Sequence, residues 1–216
     1  MKVKMSGLPA RLSLPLLGQR EYLQGTTLFD ALLGFLPQHA GVTFKVPRVI
    51  KSDLVEVVDQ QDLGKSAADW DATLSWITGE EMGTLAVKAL PSSKNPLRVP
   101  YNESLVTDRI ALGRGTAELA GEWPFSFCAT IVSMNKAMLL GQVHSNPSGQ
   151  WMFTRLDVSR VPGIGRLLTL QLGRVVGGGR IVKTQVSVDG ILLGDLYFCW
   201  IEKARISSRG ERIGGD

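Results

Sequence analysis

Asp30 is the best single candidate for chemistry in this sequence. It lies in YLQGTTLFDALLGF (residues 22–35), directly after Phe29 and before Ala31-Leu32-Leu33. A carboxylate enclosed by such neighbours loses hydration. Its pKa then rises toward the range in which it can give or take a proton near neutrality. The competing reading is electrostatic, since an acid in the first turns of a helix is favoured by the dipole's positive end. Glu122, in the loop AGEWPF, is the second candidate. An apolar neighbour such as Trp123 can raise a Glu until it serves as a base, and a solvated loop acid is the plain alternative. Tyr22 and Gln24 are polar groups at the mouth of the same helix, placed either to bind substrate or to line a surface turn. Thr26 or Thr27 can cap that helix, and Thr26 or Gln24 can position a water. His39 and His144 each follow a helix beside Gly or Asn-Pro and read as turn histidines.

Several chemistries lack their residues. The sequence has no zinc spacing, P-loop or G-x-S-x-G elbow. Gly163-Ile164-Gly165 is missing the third glycine and the strand-to-helix setting of a dinucleotide fingerprint, and Gly177-Gly178-Gly179 is a turn. No metal or cofactor is expected. Cys128 and Cys199 sit alone in apolar runs and read as buried thiols in a reducing compartment. Of 216 residues 44% are hydrophobic, enough for one large or two small domains with a full core. The net charge of +4 comes from scattered Lys and Arg rather than from a basic stripe interleaved with aromatics. That argues against nucleic acid and suits a small acidic partner. Without a leader-like start or an apolar run of membrane-spanning length, a soluble cytoplasmic protein is expected, with no membrane partner.

The elements that must position these side chains come in two series. Residues 2–17 alternate as an edge-type strand. A helix opens at Gly25-Thr26-Thr27, with Leu28, Phe29, Leu32, Leu33 and Leu36 on a broad apolar face. VTFKVPRVI and DLVEVVD then read as strands, the latter with Glu56 and the flanking Asp residues outward. DQQDLGKSAADW is a turn-rich connection, and 71–77 with 82–90 form a hairpin. PSSKNPLRVP, with three prolines, is the clearest linker. The series then recurs: a strand over 108–119, the loop AGEWPF, a helix over 126–142, strands QWMFTRLDVSRV and RLLTLQLGRVV, and a long hairpin closing at Asp189-Gly190. Thr78-Gly79 and Asp189-Gly190 are each followed, after three intervening residues, by another glycine, Gly83 and Gly194. Four elements in one order on both sides of a proline linker predict a duplication. The division expected is 1–95, a linker at 96–106, 107–203 and a flexible tail at 204–216.

Strand, loop, central helix, then antiparallel strands is the order of the hot-dog fold, in which a curved sheet wraps one apolar helix. The whole pattern resembles an α+β tandem, or double, hot dog: two curved antiparallel sheets, each wrapping a central helix. At motif level Gly25-Thr26-Thr27-Leu28-Phe29-Asp30-Ala31-Leu32 is similar to the helix start of β-hydroxyacyl-(acyl carrier protein) dehydratases. RVVGGGRIVKTQVSVDGILLGDLYF is similar to their last strands. Double hot dogs also occur in polyketide-synthase dehydratase domains and in acyl-thioester hydrolases. The resemblance implies an acyl thioester on carrier protein or coenzyme A as substrate, Gly25 N–H polarising its carbonyl, and Asp30 in the acidic place. It also implies a tunnel beside the first helix with Asp30 at its closed end. The family's His-Phe-Pro-Gly loop has no counterpart with His here. Glu122-Trp123-Pro124-Phe125 aligns with it and puts Glu122 where the His would stand, facing Asp30. Three functions follow: a dehydratase-like enzyme, an acyl thioesterase, or a non-catalytic acyl-binding or partner subunit, as monomer or homodimer.

Overall fold

The computed structural model describes residues 7–60, 69–143, 148–163 and 165–202. The tail at 204–216, His144, Ile164 and most of the connection after Asp59 lie outside the described residues. In chain order the elements are β1 (Ala10–Ser13), β2 (Leu16–Leu17), α1 (Gly25–Leu33), β3 (Gly41–Lys45), β4 (Leu54–Asp59), β5 (Ala72–Thr78), β6 (Glu81–Ala89) and β7 (Arg98–Val99). They continue with α2 (Ser104–Thr107), β8 (Ala111–Gly113), β9 (Thr116–Ala120), α3 (Phe127–Gln142), β10 (Gly149–Val158), β11 (Leu167–Val176), β12 (Ile181–Val188) and β13 (Ile191–Glu202).

Both central helices form where the apolar periodicity places them, but they start differently. Ser126 caps α3, its Oγ accepting from Ala129 N–H at 3.2 Å. Neither Thr26 nor Thr27 caps α1; the extended Gln24 precedes it and supplies no side-chain cap. Phe127 to Asn135 of α3 are buried without a break, as for a helix enclosed all round rather than on one stripe. This helix packs on β9, β10 and β11 and on α1.

The strands form one eleven-stranded sheet, in the order β1-β4-β6-β5-β3-β10-β13-β12-β11-β9-β8, rather than the two separate sheets expected. The join is the antiparallel pair β3–β10, with Phe44 opposite Leu156 and Lys45 opposite Arg155. The expected linker carries two short elements: β7 pairs parallel with β2, and α2 packs against α3. The two series also differ in space. In the second, β12 lies next to β11 and β13 next to β10; in the first, β6 lies next to β4 and β5 next to β3. β4 and β5 therefore run the same way with β6 between them. Strands of one direction cannot be joined by a tight turn, whereas Gly177–Arg180 suffices between antiparallel β11 and β12.

The matched glycines serve different ends. Gly79 and the Asp189-Gly190 pair carry the positive φ of tight hairpin turns. A Cβ on Gly83 would meet the Trp76 indole at 2.7 Å, while one on Gly194 would collide with the backbone of Asp157 across β10. Gly194 thus permits a close strand approach, and Gly83 makes room for a ring.

Asp53 and Asp59, expected to point outward, are buried. Asp53 accepts hydrogen bonds from Ser92 Oγ (2.6 Å), Ser93 N–H (2.9 Å) and Ser93 Oγ (2.6 Å), tying the start of β4 to the segment after β6. Burial alone would push its carboxyl up, but these bonds outweigh burial and hold it at about 2. That lies below the roughly 3.9 of an unfolded Asp. The resulting stabilisation is present above about pH 4 and is lost as pH falls through about 2. Asp53→Asn should cost about 2–3 kcal/mol at pH 7, the worth of one or two charge-assisted bonds. In urea unfolding the gap from wild type should narrow between pH 4 and pH 2, and a gap unchanged with pH would refute this account.

Candidate functional site

Helices α1 and α3 touch, and each begins beside the other's second turn. Gly25 and Thr26, at the α1 start, share a cavity of about 50 Å³ with Val132 and Lys136 of α3. Asp30, five residues into α1, in turn meets Ser126, the N-cap of α3. Five residues of helix span about 7.5 Å along the axis. Gly25 and Asp30 therefore meet different parts of α3, Gly25 its middle turns and Asp30 its cap. The position of α3 that corresponds to Asp30 is held by Val132, five residues after Phe127.

Four of the residues selected from sequence (Tyr22, Gln24, Gly25 and Thr26) line the cavity at the α1 start; Asp30 and Glu122 are not in its lining. The Phe153 ring closes over Gly25, where a Cβ would meet it at 3.0 Å, so any larger residue would make the ring give way. Thr26 is buried, and its Oγ lies 3.5 Å from Gln24 Oε1. Tyr22 donates to Met152 Sδ at 4.0 Å, a weak partner, and burial pushes its phenol up.

Asp30 is neither enclosed nor in the first turn of α1; more than a third of its surface is open to solvent. The protein around the remainder raises its carboxyl to about 6 by desolvation, with hydrogen bonding from Ser126 working in the opposite direction. Ser126 Oγ uses a lone pair on Ala129 N–H and keeps its own proton for Asp30. Directly beneath lies Cys128, fully buried, whose thiol is pushed well up by burial and, secondarily, by the Asp30 charge. A partly exposed carboxyl near 6, at a helix start, can exchange protons with a bound molecule at neutral pH. Glu122 stands in the loop before α3 with its side chain exposed; its backbone carbonyl accepts from Arg109 Nη2 at 2.9 Å.

Sequence reasoning missed an ion cluster on the cavity wall. Glu103 accepts from Arg20 Nη2 (2.7 Å) and from Lys136 Nζ (2.7 and 3.1 Å). All three side chains are half-buried. Burial pushes Glu103 up, but Lys136 and Arg20 outweigh it and hold it low; burial pulls Lys136 down against the same pairing. Arg20 also lies 5.6 Å over the Tyr101 ring, and Tyr101 hydrogen-bonds Ser133 at 2.8 Å. The only local signal was a lysine within IVSMNKAMLL; Glu103 had been read as linker.

A much larger recess, about 1080 Å³, crosses the β3–β10 seam. Its charged groups are paired, Asp157 with Arg155 (2.7 Å) and Asp195 with Lys183 (2.9 Å), and Ser75 meets Thr84 (3.0 Å), while the buried indole N–H of Trp76 has no partner among the described residues. His39 stands at its edge in a turn with φ of 61°, consistent with its reading as a turn histidine. The helix-pair site, where groups are desolvated and incompletely partnered, is the better candidate despite its smaller volume.

Two series of strand, helix and antiparallel strands, each helix starting against the other's flank, resemble a double hot dog. No protein-family model matches the sequence, and no curated protein matches it. Among solved structures, the chain is similar to the dehydratase domain from the CurJ module of curacin polyketide synthase, at 10% identity and a TM-score of 0.45, covering 88% of this chain and 87% of that one. It is also similar to the dehydratase domain of RzxB from Pseudomonas fluorescens (8% identity, TM-score 0.42, covering 83% and 85%). A third similar structure is the tesB protein of Mycobacterium avium subs paratuberculosis (10% identity, TM-score 0.40, covering 87% and 91%). Among the described residues no helix is long and apolar enough to cross a membrane.

Proposed function

We propose that this chain is an acyl-thioester-processing protein built as two hot-dog repeats, with Asp30 as its acid–base residue. The observation that carries the reading is the Asp30 carboxyl beside the capped start of α3, partly open to solvent and raised to about 6. In the leading version the substrate is a 3-hydroxyacyl thioester on carrier protein or coenzyme A. A base takes the C2 proton, the C3–O bond breaks, and the Asp30 carboxyl protonates the departing hydroxyl, giving the enoyl thioester and water. The unpaired backbone N–H groups of the first turn of α3 polarise the thioester carbonyl, the role the sequence had suggested for Gly25. Glu122, four residues before Ser126, is the candidate base. The excess of Lys and Arg suits an acidic carrier.

A specific observation favours a second version. Glu122 is exposed and its carboxylate has no hydrogen-bond partner among the described residues, so nothing there holds it toward a bound substrate. A thioesterase needs only one base, and Asp30 activating a water would supply it, yielding free thiol and free acid. The test is mass spectrometry of the purified protein with 3-hydroxyacyl and saturated acyl thioesters. Loss of water from the former supports dehydration, and free thiol from either supports hydrolysis. No turnover of any thioester would overturn both and leave the binding or partner-subunit reading.

A further inference from the structure

The cavity at the α1 start has more donors than acceptors. Gln24 Nε2 is buried with no acceptor among the described residues, and so is the indole N–H of Trp151; both residues line this cavity. Tyr22 donates to a thioether, Met152 Sδ, and also has a side-chain hydrogen bond with Gln150. The first N–H groups of α1 have no intrahelical partners and no side-chain cap. On the same wall two cations, Arg20 and Lys136, share the single carboxylate of Glu103, leaving one net positive charge. Nothing within the cluster balances that surplus.

We infer that this cavity is a binding site for the carboxylate of a small organic acid, separate from the Asp30 site. Its donors and single positive charge call for a monoanion with acceptor oxygens. A volume of about 50 Å³ holds one such group rather than a chain. Val132, Met152 and Phe153 on the other side suit an alkyl stub better than the fully polar surface of phosphate. Lys136 and Arg20 would be shared between Glu103 and the ligand, and Gln24 and the α1 N–H groups would supply neutral donors. The site does not depend on thioester chemistry, because Asp30 is not part of its lining.

The test is an NMR titration of the ¹⁵N-labelled full chain with sodium acetate, against sodium chloride at equal ionic strength and against neutral, nearly isosteric acetamide. Saturable shifts of the Gly25 and Thr26 amides and the Trp151 indole with acetate, and at least tenfold weaker binding of acetamide, are expected. Lys136→Met should weaken acetate at least tenfold. Gln24→Leu, which leaves the ion cluster intact, should also weaken it and serves if the lysine variant does not fold. Acetate shifts that match chloride, acetamide binding as well as acetate, or full affinity in a folded variant would each overturn the assignment.

Discussion

Asp30→Asn should lower turnover of any acyl thioester the protein accepts by at least about 100-fold, the lower range of what a positioned acid or base contributes. Asparagine keeps the shape and the contact with Ser126 but cannot exchange a proton. The pH profile of the wild type then separates the two chemistries. If Asp30 is a base activating water, activity climbs as pH rises through about 6 and levels off. If it is the acid that protonates a leaving hydroxyl, activity falls above about 6. Stability should move the other way. The folded-state carboxyl is raised above its unfolded value, so ionisation costs the fold as pH passes from about 4 through 6. Asp30→Asn should therefore melt slightly higher than wild type at pH 7 and show no such gain below pH 4. A variant that keeps its activity removes Asp30 from the chemistry; one that is less stable at pH 7 contradicts the desolvated carboxyl.

Phe44→Ala should cost about 3–5 kcal/mol, the range for truncating a fully enclosed ring. Phe44 is completely buried on β3, in the pair of strands that joins the two halves of the sheet. Its ring stands edge-on to Phe29 of α1 at 5.4 Å and 5.9 Å from Phe153 of β10, so it contacts the first helix and both sides of the seam. The loss combines transfer of the ring, the cavity it leaves, and two aromatic contacts of about 0.5–1.5 kcal/mol each. Lys45→Ala, one residue along and pointing away from the core, should change stability by less than about 0.5 kcal/mol. Urea unfolding midpoints at constant m-value measure both. A Phe44 cost below about 1 kcal/mol would mean that the seam relaxes around the loss.

The residues that form the two helices and most of the longer strands were legible because their signals are local, but the single strand expected over 108–119 is the β8–β9 hairpin. The apolar face of Leu28, Phe29 and Leu32 and the Asp189-Gly190 turn each act within a few residues, whereas the cap expected at Thr26 or Thr27 is found at Ser126 of α3. Alternation along β4 also marked its inward face, but not the fate of Asp53, whose partners Ser92 and Ser93 lie across β5 and β6. A trace of the strand exchange was present in the length of residues 60–71 against Gly177–Arg180. Only the ladder registers decide that β6 rather than β5 lies beside β4, and that β3 and β10 fuse the halves into one sheet.

The site divided along the same line. Asp30 stood out by residue type among apolar neighbours, and Tyr22, Gln24, Gly25 and Thr26 by their place at a helix start. The meeting of Asp30 with Ser126, and the convergence of Arg20, Glu103 and Lys136, follow from the packing of α1 against α3. Periodicity fixes which face of each helix is buried. Which far-off residue meets that face, and so which carboxyl is desolvated and which lysine is paired, is set by side-chain contacts between segments the sequence keeps far apart.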